Sequence, residues 1–205
     1  PRRLWSQARF DWGTLASFVG KHNLTLRKLT FQHAGTHLIG PGLTVKDGER
    51  ILIEDCRVVN NAGMGLGLNN NRKVIVRRSD LSGNGYNGIK ARSHEILFED
   101  VDLIGNNWRS TYAGWVNFDS AAVKLGGSSG DVIFRRCSAV NNADHGFWSD
   151  GWHQNILFES CVAWGNKGRG FFLEYTGPNG PIRVERSISA FNDYGVYISS
   201  VRKPA

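Results

Sequence analysis

Proline and cysteine are scarce in this chain, at 5 and 3 of 205 residues. So few prolines exclude a Pro-rich linker or a polyproline segment. The cysteines, Cys56, Cys137 and Cys161, are odd in number and show no C-x-x-C spacing. That argues against a disulfide framework and against a zinc site, and no metal is expected. No apolar stretch reaches membrane-spanning length, so no membrane span is expected. The opening Pro1-Arg2-Arg3-Leu4-Trp5-Ser6 lacks the apolar core of a signal peptide. No segment of useful length has helical periodicity. The net charge is +7, yet Arg and Lys alternate with Glu and Asp and form no basic run. With none of the usual RNA- or DNA-binding motifs present, no nucleic-acid partner is expected. A basic balance of this kind still suits an acidic polysaccharide.

What the chain does have is glycine, 25 residues, and aromatics, with 7 Trp, 11 Phe and 5 Tyr. It also repeats. An apolar, β-prone run recurs as Ile51-Leu52-Ile53, Val74-Ile75-Val76, Ile96-Leu97-Phe98, Val132-Ile133-Phe134, Ile156-Leu157-Phe158 and Ile182-Arg183-Val184. The steps between starts are 23, 22, 36, 24 and 26 residues, and only the longest holds an insertion. Five residues after each start comes a small or apolar residue: Cys56, Ser79, Val101, Cys137, Cys161, Ser187. Five further on comes Asn each time: Asn61, Asn84, Asn106, Asn142, Asn166, Asn192. Asn tolerates the left-handed backbone of a turn, and stacked Asn side chains bond from one repeat to the next. A Gly-rich bend follows, then a second strand that begins Gly42-Leu43, Gly65-Leu66, Gly88-Ile89, Ala122-Val123, Gly146-Phe147, Gly170-Phe171 and Gly195-Val196.

A unit of this length cannot bury its own apolar face and must stack on its neighbours. Parallel strands stacked about 4.8 Å apart make a β-solenoid. The residue after each first strand supports this register: Glu54, Arg77, Glu99, Arg135, Glu159, Glu185. Four of the five steps in that column reverse sign, as attraction between adjacent strands requires. The cysteines fall in one inward column as small buried hydrophobes. The predicted fold is therefore all-β, a single-stranded parallel β-helix of about seven coils. Residues 1–23 are expected to form an N-terminal cap or partial coil, and residues 24–205 the solenoid, with a loop insertion at about 107–120.

Strand alternation then sorts the second strand into faces. One outward column reads Thr44, Gly67, Lys90, Lys124, Trp148, Phe172, Tyr197, and the next reads Lys46, Asn69, Arg92, Gly126, Asp150, Glu174, Ser199. Asp150 and Glu174 are one coil apart. Carboxyl groups about 5 Å apart suit a retaining glycosidase, one as nucleophile and the other as acid/base. Their mutual repulsion is expected to raise one pKa. Trp148 and Tyr175 offer flat faces for a sugar ring, in an outward column that leaves Trp148, Phe172 and Tyr197 exposed. Lys90 and Lys124 are placed to bind a hydroxyl or carboxylate, and His145 and His153 flank Asp150. The insertion, with Trp108, Tyr112, Trp115 and Asp119, is placed to wall a subsite. Acidic residues also end strands as plain solvated groups, so the pairing alone does not establish catalysis.

The repeat resembles the right-handed parallel β-helix proteins of the pectate-lyase-like superfold, over about residues 24–200. Gly146-Phe147-Trp148-Ser149-Asp150 and Gly170-Phe171-Phe172-Leu173-Glu174 resemble segments of bacterial β-helix glycoside hydrolases. That resemblance implies right-handedness, Asp150 as nucleophile, Glu174 as acid/base, a polysaccharide or oligosaccharide substrate, no cofactor, and an extracellular or periplasmic location. The superfold hosts several activities. One alternative is a lyase or epimerase on a uronate polymer, with Lys90, Lys124, Arg92 or His153 as base and Ca²⁺ held by Asp150 and Glu174. Another is a non-catalytic glycan-binding or structural solenoid.

Overall fold

A computed structural model describes residues 13–37, 39–109, 119–127, 129–151, 154–174 and 180–199. Its described secondary structure is strand alone, 18 strands that pair in parallel from coil to coil. Each coil has three faces, so a short third strand joins the two that the repeat pattern showed. The first is β2 (His22–Arg27), β5 (Glu49–Glu54), β10 (Gly130–Arg135), β13 (Gln154–Glu159) and β16 (Ile182–Glu185). The second is short: β3 (Thr30–Gln32), β6 (Arg57–Val59), β11 (Ser138–Val140), β14 (Val162–Trp164) and β17 (Ile188–Ala190). The third is β1 (Ala16–Val19), β4 (Pro41–Lys46), β9 (Ala121–Gly126), β12 (His145–Asp150), β15 (Arg169–Glu174) and β18 (Tyr194–Ser199). Two long strands, β7 (Met64–Asp80) and β8 (Ile89–Ile104), bend round the corners and serve more than one face. Stacking begins within the segment read as a cap, since β1 pairs with β4.

The predicted register holds. Ile51, Val74, Ile96, Val132, Ile156 and Ile182 are successive partners on the first face. The charge column aligns as read from Glu54 to Glu185. Burial alone would raise the Glu54 carboxyl, but bonds from Arg78, Arg77 and Arg27 outweigh it and hold the pKa down to about 2. The like-charged step is relieved sideways, where Arg186 pairs with Glu159. Apolar side chains fill the interior. Phe98, Phe134 and Phe158 stack at 4.6 and 5.0 Å, and the three free cysteines are buried in the same core cluster.

The Asn column is a hydrogen-bonded ladder at the second corner. Asn84 donates through its backbone N–H and through Nδ2 to Oδ1 of Asn106, at 3.0 and 3.1 Å. Asn106 does the same to Asn142, and Asn142 to Asn166. One part of the sequence expectation is corrected. The ladder residues are not the left-handed ones. The positive φ falls one position earlier, at Asn60, Gly83, Gly105, Asn141, Gly165 and Phe191, with φ of 54°, 68°, 64°, 53°, 65° and 56°. The preceding residue turns the chain, and that turn aims the ladder side chain inward, where its amide can be satisfied only by its neighbours.

Candidate functional site

The third face carries the site. Along it Thr44, Gly67, Lys90, Lys124, Trp148, Phe172 and Tyr197 are successive register partners. Asp150 and Glu174 end β12 and β15, which pair in register at Trp148 with Phe172 and Ser149 with Leu173. The two carboxylates therefore end neighbouring strands, each one residue beyond the last paired positions, Ser149 and Leu173.

Lys124 organises this end of the face. Its side chain is 4% exposed, and its Nζ lies 2.7 Å from Asp119 Oδ1 and 2.8 Å from Asp150 Oδ2. The same ammonium sits 3.4 Å from the centroid of Trp148. Asp119 also receives Lys90 Nζ at 2.7 Å and the Tyr86 hydroxyl at 2.7 Å. Burial works to raise the Asp119 carboxyl, but the bonds from Lys124 and Lys90 prevail and hold it below the usual range. Glu174 accepts the Trp148 indole N–H at 3.1 Å. Its carboxyl is raised, first by burial and then by the charge of Asp150.

Two sequence expectations are corrected here. Trp148 and Phe172 point away from the core as predicted, but they are only 4% and 6% exposed. They stack on each other at 4.9 Å, and with Ala121 and Tyr197 they form a second apolar layer outside the solenoid. One side of Trp148 is taken by Phe172 and Lys124 lies over the ring as well, so the ring does not present a free platform to a sugar. His145 is fully buried and does not face a ligand. Its ring packs edge-on to Trp148 and Phe172, and its Nδ1 accepts the Arg169 backbone N–H. Burial, then the charges of Arg169 and Lys124, lower its pKa to about 3.

The structure thus brings together Asp150, Glu174, Lys124, Lys90, Asp119 and Trp148. Trp115, Tyr175, His153 and Tyr112 lie outside the described residues. Trp108 is half-exposed and donates through Nε1 to the Gly83 carbonyl at 3.0 Å, so its polar edge is tied to the neighbouring coil. Among the described residues no three His, Cys, Asp or Glu side chains gather as a metal site. Two contributors escaped the sequence reading. Tyr86 stands in the Gly85-Tyr86-Asn87-Gly88 corner and holds Asp119 from 33 positions away. Arg169, at the start of β15, lies 4.4 Å from Phe172 and 4.3 Å from Tyr197 and lids the aromatic stack. Only the coil-to-coil register could have revealed either of them.

Parallel strands on three faces, a closed core and an Asn ladder together define a parallel β-helix protein. Residues 16–203 match the family model described as right handed beta helix region, and the chain belongs to that family. A search of curated proteins returns no match. Among solved structures the chain is similar to pectate lyase Pel9A, with a TM-score of 0.59 and 17% sequence identity. The alignment covers 85% of this chain and 52% of that one, so the chain spans about half the length of that structure. At that identity the likeness is one of fold.

Proposed function

We propose that this chain is a carbohydrate-active enzyme, a retaining glycoside hydrolase acting on a polysaccharide or oligosaccharide. Asp150 attacks the sugar carbon. Glu174 protonates the departing oxygen and then takes a proton from the water that releases the sugar. The reaction needs two carboxyl groups and water, and no cofactor. One observation carries the reading: two carboxylates on adjacent rungs sit in unlike surroundings. Burial and the charge of Asp150 raise Glu174, which suits an acid, while Lys124 ion-pairs Asp150 at 2.8 Å, which suits a nucleophile that must stay charged.

The uronate lyase or epimerase is the second reading. The net charge of +7 favours its substrate. Against it, Lys90 and Lys124 both donate to Asp119, so neither amine is free to take a sugar proton. A panel of neutral and acidic polysaccharides distinguishes the two. Hydrolysis yields reducing ends with retained anomeric configuration, and elimination yields an unsaturated product that absorbs in the ultraviolet. Asp150→Asn and Glu174→Gln should each abolish hydrolysis while leaving the circular dichroism spectrum unchanged. Full activity in both variants would sink the proposal.

A further inference from the structure

The third face continues from the carboxylate pair toward the N-terminal coils, and there it hollows. Gly67 stands in the first outward column between Thr44 and Lys90. A Cβ at Gly67 would lie 3.2 Å from Cγ of Pro41, so a larger side chain would crowd that ring. Glycine instead leaves a hollow of about 350 Å³, whose lining includes apolar Ile39, Pro41 and Met64 and the cationic Lys90 and Arg92.

The two cations are not equivalent. Lys90 is tied to Asp119. Arg92 is exposed, and its guanidinium has no carboxylate partner among the described residues. It occupies the second outward column two rungs before Asp150, with only Gly126 between. Its side chain lies across that glycine, since a Cβ on Gly126 would come 3.2 Å from Arg92 Nε. The backbone distance from Arg92 to Asp150 is about 10 Å, two rungs of the solenoid. Apolar lining residues with a guanidinium that has no carboxylate partner among the described residues match a sugar with a hydrophobic ring face and an anionic substituent.

We propose that Arg92 and the hollow over Gly67 form an anion-selective sugar subsite, which binds a carboxylated or sulfated residue of a glycan laid along the solenoid axis toward Asp150 and Glu174. The subsite deepens the hydrolase reading and rests on it for the place of the reacting bond. Arg92 supplies a bidentate, charge-assisted contact that a neutral sugar cannot use.

Calorimetric titration of the Glu174→Gln protein at low salt tests it, using a 1,4-linked uronate tetrasaccharide, its neutral methyl ester and a sulfated tetrasaccharide. At least one anionic ligand should bind about tenfold more tightly than the neutral ester, as one charge-assisted contact implies. Adding Arg92→Gln should remove that preference, and Arg92→Lys should keep part of it. Tighter binding of the uronate identifies a carboxylate as the natural group, and tighter binding of the sulfated ligand identifies a sulfate ester. Equal or absent binding of all three ligands, or a preference that survives Arg92→Gln, overturns the subsite. The two readings fail separately, because hydrolysis surviving in Glu174→Gln overturns the catalytic pair and says nothing for a neutral sugar at Arg92.

Discussion

Lys124 donates to Asp150 across 2.8 Å from a side chain that is itself almost wholly buried. The relationship orders the site. One ammonium joins Asp119 on a corner, Asp150 at the end of a strand and Trp148 in the outer aromatic layer. Two carboxylate partners offset the cost of burying the Lys124 ammonium.

Replacing Lys124 with Met keeps the volume and removes the charge. Asp119 and Asp150 then repel across the gap the ammonium filled. Breaking such a pair should cost about 3 kcal/mol, at the low end for buried pairs because both carboxylates are partly exposed. Urea unfolding of Lys124→Met measures it, and a loss below about 0.5 kcal/mol would mean the network contributes little.

Glu174 gives a pH dependence whose sign follows from its raised pKa. The folded protein holds this proton more tightly than the unfolded chain does. Its contribution to stability is therefore full below the unfolded value and is lost as pH rises through the folded one. Glu174→Gln removes this loss, so its stability relative to the parent should improve from about pH 4 toward neutrality. Hydrolysis should fall over the same rise in pH, as the acid loses its proton. Parallel thermal and activity profiles check both; a flat difference between parent and variant would contradict the assignment.

The Asn ladder should be intolerant of truncation. In Asn106→Ala the backbone N–H and Nδ2 of Asn84 lose their shared acceptor in a buried position. Each stranded donor costs about 1–3 kcal/mol, so the sum is about 2–6 kcal/mol. Denaturant unfolding provides the measurement. Hydrogen exchange should show faster opening at the coils on either side.

Gly105 separates conformation from crowding. It has φ of 64°, and a Cβ there would meet nothing within 4 Å. Ala should cost about 1 kcal/mol through the left-handed backbone alone. Asn should cost less, because Asn60 and Asn141 fill the equivalent place on other coils with φ of 54° and 53°. Unfolding free energies of the two variants decide it, and equal losses would show that the local conformation is not the cause.

The repeat was legible because each coil is stabilised by its neighbours at a fixed spacing. Ile51, Val74 and Ile96 recur with the period of the solenoid, so the spacing itself encodes which residues stack. The charge column and the six ladder Asn residues were readable for the same reason, as was the adjacency of Asp150 and Glu174. The second face was not, since Arg57–Val59 is too short to show an alternation.

Facing along a strand was determined by sequence alone; exposure was not. Alternation placed Trp148 and Phe172 on the outside, but only packing decided that Lys124, Arg169 and each other would cover them. The roles of Lys90 and Asp119 likewise came from the fold, because 29 positions of chain separate two groups that lie 2.7 Å apart. A repeat specifies what stacks on what. Which side chains close over a face depends on corners and insertions that obey no period, and those the tertiary structure alone decided.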